Sequence, residues 1–90
     1  MNIVRTISHQ DIEIYIEENT KFYLETNSQN CNKDIAKLMG LSTRAFTSYV
    51  KKNFNATMCI NTWNNSVRNL EFKNLKDVNE ALNWIQLQIK

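Results

Sequence analysis

The chain contains no proline and a single glycine, Gly40, in 90 residues. Proline breaks helices, and both residues are common in the tight turns that all-β proteins need. Their near absence favours helices joined by short connections, with asparagine at the turn positions. We therefore expect a mainly α fold, a helix-turn-helix domain of four to five helices that spans residues 1–90 as one domain.

A first helix is predicted to begin at Ser8, whose hydroxyl can cap the backbone amide of Asp11. Its apolar residues follow helical spacing and are Ile12, Tyr15, Ile16 and Tyr23. The polar run 26–30 is expected to end this helix.

The next segment carries the clearest local signals for helix ends. A short helix is predicted over about 32–39, followed by Gly40, which can adopt the left-handed conformation that closes a helix. Ser42 is a good cap for a further helix, 42–53. Asn55, which tolerates the left-handed region, is expected to stop it. The helix-turn-helix is therefore predicted over residues 32–53.

Residues 57–72 allow two interpretations. Apolar residues recur at steps of three, four and three, at Ile60, Trp63, Val67 and Leu70, as in an amphipathic helix. The residues between them are poor helix formers, and Asn64-Asn65 could be the turn of a β-hairpin. The second interpretation makes the domain a winged helix with a β-hairpin at about 58–72.

A C-terminal helix is predicted over 74–90, with Asn74 as its cap and Asp77 in its first turn. Its apolar residues advance by three, four, three and four, and they are Leu75, Val78, Leu82, Ile85 and Ile89. This spacing gives a seam of two heptads, which can pack on the body of the domain or on a second copy of the chain.

The net charge of +2 is unevenly distributed along the chain. Residues 1–30 carry two basic and five acidic residues, a net −3, and residues 57–90 carry +1. Residues 31–56 carry five basic residues against one acidic residue, a net +4. The excess positive charge therefore coincides with the predicted helix-turn-helix.

The predicted helix pair has the residues that a DNA-reading helix-turn-helix requires. Ala36 is small enough for a close helix crossing, Gly40 suits the turn, and the flanking apolar residues can lock the helices together. The outward face then offers Arg44 for a guanine edge, hydroxyls for bases or phosphates, and lysines for phosphates. The predicted DNA-binding residues are Lys33, Lys37, Ser42, Thr43, Arg44, Thr47, Ser48, Lys51 and Lys52.

The stretch IAKLMGLSTRAFTSYVKKNF, followed by a W-x-x-x-V-R pattern at Trp63, Val67 and Arg68, resembles the AraC/XylS class of bacterial transcription regulators. The likeness covers roughly residues 30–70. It implies one helix-turn-helix subdomain, which needs a dimer or a partner to cover a full operator.

Other classes of function have little support in the sequence. Cys31 and Cys59 lack the spacing of metal ligands, and His9 is the one histidine, so we expect free thiols and no metal or cofactor. No paired titratable groups or phosphate-binding loop indicate an enzyme. No apolar run is long enough to span a membrane and no signal peptide is evident, so we expect a cytoplasmic protein without a membrane partner.

Two hypotheses of function follow from the sequence. The first is a sequence-specific transcription regulator that binds double-stranded DNA with helix 42–53 in the major groove, as a homodimer. The second is a small interaction module, an anti-activator or a regulator encoded by a phage or plasmid, that binds a transcription factor or an RNA polymerase subunit. The modest total charge and the acidic N-terminal region favour the second.

Overall fold

The chain folds into a five-stranded antiparallel sheet and three helices, in a computed structural model that describes residues 2–28, 30–60 and 68–89. The elements are β1 Asn2–His9, β2 Ile12–Asn19, β3 Lys21–Thr26, α1 Cys31–Leu38, α2 Thr43–Asn53, β4 Thr57–Ile60, β5 Arg68–Phe72 and α3 Leu75–Gln88. The strand order is β1-β2-β3-β5-β4. The prediction of a mainly α domain of four to five helices is therefore wrong, because this is an α+β fold.

The N-terminal third forms strands where a helix was expected. Ile12 and Ile16 fit both a helix and a strand, but Ile14 between them fits only a strand, where alternate residues share one face. Ile14 and Ile16 are fully buried. The turns between these strands contain no glycine. Gln10 and Thr20 instead adopt the positive φ angles, 55° and 60°. These turns have no clear signal in the sequence, which explains the error.

The segment after α2 also belongs to the sheet. β4 and β5 pair in antiparallel fashion, with Met58 opposite Leu70, so the helix considered for 57–72 is wrong over its described part. The pairing agrees with the hairpin alternative. The winged-helix class is nevertheless wrong, because β5 also pairs with β3 and so joins the β4–β5 pair to the three N-terminal strands in one sheet. Trp63, Asn64-Asn65 and Val67 lie outside the described residues.

The core lies between one face of the sheet and the helices, where α1 and α3 pack on the strands and α2 packs on α1 and α3. Ile14, Ile16, Leu24, Leu70 and Phe72 supply the sheet side of the core. The helices contribute the other side, with Ile35, Ala36, Phe46, Val50, Val78, Ala81, Leu82 and Ile85. Each of these side chains is almost completely removed from water, and this burial is the main force that holds the helix layer on the sheet.

The C-terminal helix is the element that the sequence described best. The side chain of Asn74 accepts a hydrogen bond of 2.9 Å from the amide of Asp77, which confirms the predicted cap. Of the predicted seam, Val78, Leu82 and Ile85 are fully buried, and Ile89 packs on the core from its edge, whereas Leu75 is exposed. The centre of the seam therefore packs in the core of its own chain. No helix in the described part of the chain is long and apolar enough to cross a membrane.

Candidate nucleic-acid interface

The turn between α1 and α2 is built as the glycine predicted. Gly40 has a φ of 71°, which confirms its left-handed conformation. The amide of Gly40 donates to the carbonyl of Lys37 at 3.1 Å, and that of Leu41 donates to the carbonyl of Ala36 at 2.9 Å. These two hydrogen bonds form a Schellman motif, which ends α1 and reverses the chain within a few residues.

The start and end of α2 are fixed by local side chains. The Ser42 hydroxyl accepts a hydrogen bond of 3.1 Å from the amide of Ala45, as predicted for a cap. At the other end Asn55 has a φ of 56°, and the helix stops at Asn53 as expected. The acceptor capacity of Ser42 is therefore used in part by its own helix, although its side chain stays exposed.

The rotation of α2 about its axis is fixed by contacts with α1 and α3. Phe46 and Val50 are fully buried. Trp84 of α3 stacks on Tyr49, with ring centroids 4.2 Å apart and planes within 14°, and lies parallel to Phe46 at 6.2 Å. Tyr49 keeps 42% of its surface exposed at the edge of this stack. The aromatic contacts hold one face of α2 toward the core.

The opposite face of α2 carries polar and basic side chains. Arg44, Ser48 and Lys51 follow the i, i+4, i+7 spacing of one helix face, and Lys52 lies beside them. Thr47 is half-buried, and its hydroxyl donates to the carbonyl of Arg44 at 3.3 Å. The other predicted contact residues of α2 and its cap are exposed, and they are Ser42, Thr43, Arg44, Ser48, Lys51 and Lys52.

The helix before α2 also carries exposed positive charge. Lys33 and Lys37 are one turn apart on α1 and are both exposed. The one acidic residue of the two helices, Asp34, lies in the first turn of α1 and accepts a hydrogen bond from the hydroxyl of Ser28. Asp34 is thus held toward the end of β3. The two helices together carry five basic residues and this single acidic residue.

The sheet face that points away from the helices is acidic, a feature that the sequence interpretation missed. It includes Glu13, Tyr15, Glu17, Lys21, Tyr23, Glu25 and Glu71, which are exposed or half-buried. Lys21 forms an ion pair with Glu71 at 2.8 Å. The alternation of Glu13, Tyr15 and Glu17 with three isoleucines was the signal that could have revealed this face.

Glu25 is the most perturbed carboxyl group on the acidic face. Partial burial, and then a hydrogen bond and charge repulsion from Glu17, raise the pKa of Glu25 to about 7. The amide of Asn69 donates to Glu25 at 2.5 Å and partly opposes this rise. Nearby, burial and then the Glu25 charge raise the pKa of the Cys31 thiol to about 11. Cys31 is therefore a protonated, buried thiol at neutral pH, 3.6 Å from the side-chain oxygen of Asn69.

Neither Cys31 nor Cys59 is in a disulfide. Within residues 2–28, 30–60 and 68–89, no group of histidine, cysteine and carboxylate side chains could hold a metal ion.

Comparison with known proteins does not assign this chain to a family. No protein-family model, no curated protein and no solved structure matches this chain. The resemblance to AraC/XylS regulators therefore rests on the sequence of roughly residues 30–70 alone, and the sheet is not part of what that resemblance implied.

Proposed function

We propose that the chain binds double-stranded DNA through α1 and α2, with α2 in the major groove. The observation that carries this proposal is the outward face of α2, where Arg44, Ser48 and Lys51 lie on one stripe opposite the buried Phe46 and Val50. Exposed basic and hydroxyl side chains on one face of a helix are suited to a groove whose walls are phosphates.

Each part of the helix pair has a distinct role in this proposal. Arg44 lies in the first turn of α2, the part of a recognition helix that comes closest to base edges, and it can pair with guanine through two hydrogen bonds. Lys51 and Lys52 lie in the last turn, where they contact phosphates on the groove wall. Lys33 and Lys37 contact the adjacent backbone from α1. The function would be that of a transcription regulator.

The first measurement is a fluorescence anisotropy titration of the full chain with random-sequence duplex at several salt concentrations. Phosphate contacts release counterions, so the affinity should fall steeply as salt rises. Lys52→Ala should weaken binding to all duplexes alike and reduce the slope of log K against log salt by about 0.9. On a duplex selected by the protein, Arg44→Ala should lower the preference over random sequence by about 1–3 kcal/mol.

The matched control is Lys76→Ala, which removes the same charge from an exposed position on α3. It should leave both the affinity and the salt slope within error of the unmodified chain. If no duplex binds at low salt, or if Lys76→Ala weakens binding as much as Lys52→Ala, then α2 is not a DNA-contacting helix and the proposal is wrong.

A second candidate function is supported by the acidic face of the sheet. Glu13, Glu17 and Glu25 lie on neighbouring strands, and together with the modest net charge they favour a module that binds a basic protein surface. The partner would be a transcription factor or a subunit of RNA polymerase. Co-purification of such a protein that is lost in a Glu13→Lys and Glu17→Lys variant, combined with no DNA binding, would favour this function over the first.

A further inference from the structure

The sequence offered the seam of α3 as a surface for a second copy, but its central residues Val78, Leu82 and Ile85 are buried in the core of the same chain. A dimer must therefore use another surface. The outer edge of β1 is such a surface. Among the described residues, no strand pairs with that edge, whereas β2 occupies the inner one.

The edge of β1 lacks most of the features that prevent strands from pairing with other chains. β1 has eight residues, twice as many as β4 at the opposite edge of the sheet. It contains no proline, and it exposes 64% of Ile3 and 40% of Val4. Its single charged side chain, Arg5, is directed onto α3, where it donates to Asn79 at 3.5 Å and to Gln86 at 3.3 Å. An unprotected edge of this length is a template for a further strand.

A shift in register at Val4 leaves Arg5–His9 as the regular part of the edge. We propose that this part of β1 pairs in antiparallel fashion with the same strand of a second copy, so that two sheets join into one. An antiparallel pair of identical strands is self-complementary about a two-fold axis. Around a centre at Ile7, Thr6 of one copy lies opposite Ser8 of the other and Arg5 lies opposite His9. No acidic side chain lies on this part of the edge, and the basic side chain of Arg5 is held on α3 by its hydrogen bonds to Asn79 and Gln86.

The spacing of the helix pairs favours β1 over the other edge, an argument that rests on the proposed DNA binding. The two-fold axis of an antiparallel pair is perpendicular to the sheet, so both helix layers lie on the same side. α1 packs over β3 and β5, about three strand spacings from an axis outside β1. The two copies of α1 would then lie roughly 30 Å apart, near the roughly 34 Å of one DNA turn, and α2 packs directly on α1. Pairing through β4 would give roughly 20 Å.

The test uses the full chain without DNA, so that it does not depend on the proposed function. Sedimentation equilibrium over a hundredfold range of concentration should show a transition from one chain to two. Hydrogen exchange followed by mass spectrometry should show slower exchange in 5–9 as the dimer forms, and unchanged exchange in β4. Thr6→Lys with Ser8→Lys places like charges across the axis and should raise the dissociation constant at least about tenfold.

The matched control is Thr57→Lys, the same change at an exposed threonine on the other edge strand and the same sheet face. It should leave the dissociation constant unchanged, and circular dichroism checks that each variant is folded. The proposal is overturned if the chain stays monomeric at all concentrations, if 5–9 exchanges equally fast in monomer and dimer, or if Thr57→Lys weakens the dimer as much. The exchange experiment on the unmodified chain decides the matter even if the lysine variant fails to fold.

Discussion

Glu25 and its neighbour Glu17 on the acidic face of the sheet should make the free energy of unfolding depend on pH. Burial and the neighbouring Glu17 raise the pKa of Glu25 from 4.5 to about 7. The folded chain therefore holds a proton that the unfolded chain has lost between these values. By linkage, the free energy of unfolding must fall as pH rises through this window, since the folded state binds more protons. Below pH 4.5 both states are protonated and the penalty is absent.

The size of this effect follows from the shift and the exposure of the side chain. For a fully desolvated carboxyl group, a rise from 4.5 to about 7 corresponds to roughly 3 kcal/mol. Glu25 is only half-buried, so solvent screening reduces the expected effect to about 1 kcal/mol. Glu25→Gln removes the ionisation and keeps an oxygen that can accept the hydrogen bond from Asn69. This variant should be more stable than the unmodified chain above pH 7 by that amount.

Urea denaturation of both chains at about pH 4 and about pH 8.5 measures the difference directly, because it gives the free energy of unfolding under each condition. The gain from Glu25→Gln should appear at the higher pH and vanish at the lower one. The control, Glu80→Gln, makes the same change at an exposed site on α3 and should show no such pH dependence. An equal gain from Glu25→Gln at both pH values would refute the reasoning, since it would not come from the ionisation of Glu25.

Three further predictions concern the helix layer and can be measured by the same denaturation assay at neutral pH. Gly40→Ala should lower the free energy of unfolding by about 1 kcal/mol through backbone strain alone, because no atom lies within 4 Å of the added Cβ. Gly40→Asn should cost less, since asparagine tolerates the left-handed region. An equal cost for both variants would contradict this. Ser42→Ala should cost about 1 kcal/mol by removing the cap on α2, whereas Ser48→Ala should be nearly neutral. Phe46→Ala should cost about 3–5 kcal/mol through the cavity that it leaves, and a loss below 1 kcal/mol would show that Phe46 is not a core residue.

The helix pair and α3 could be predicted because their signals are local. Gly40, Ser42 and Asn74 each act on amides or carbonyls within a few residues, and the structure has all three in the expected roles. The excess of basic residues in 31–56 likewise predicted that the outward face of α2 is positively charged. A segment of about twenty residues carried enough information to place Arg44 and Lys51 on the face opposite Phe46.

The sheet could not be predicted because its determinants are distant or silent. β3 reaches its partner β5 only after two helices and β4 have intervened, so the pairing of Leu24 with Leu70 leaves no local pattern. The turns at Gln10 and Thr20 use non-glycine residues at positive φ. The lack of glycine and proline therefore misled the fold prediction, since it was taken as evidence against turns that other residues form.

The side chains that hold the helix pair in the fold are different from those on its outward face. α1 and α2 are held in the core by buried side chains such as Ile35 and Phe46, whereas the side chains of Arg44 and Lys51 are exposed. Substitutions on the outward face of α2 should therefore cost almost no folding free energy. For the proposed DNA binding, a change of target sequence through this face would need no compensating change in the sheet.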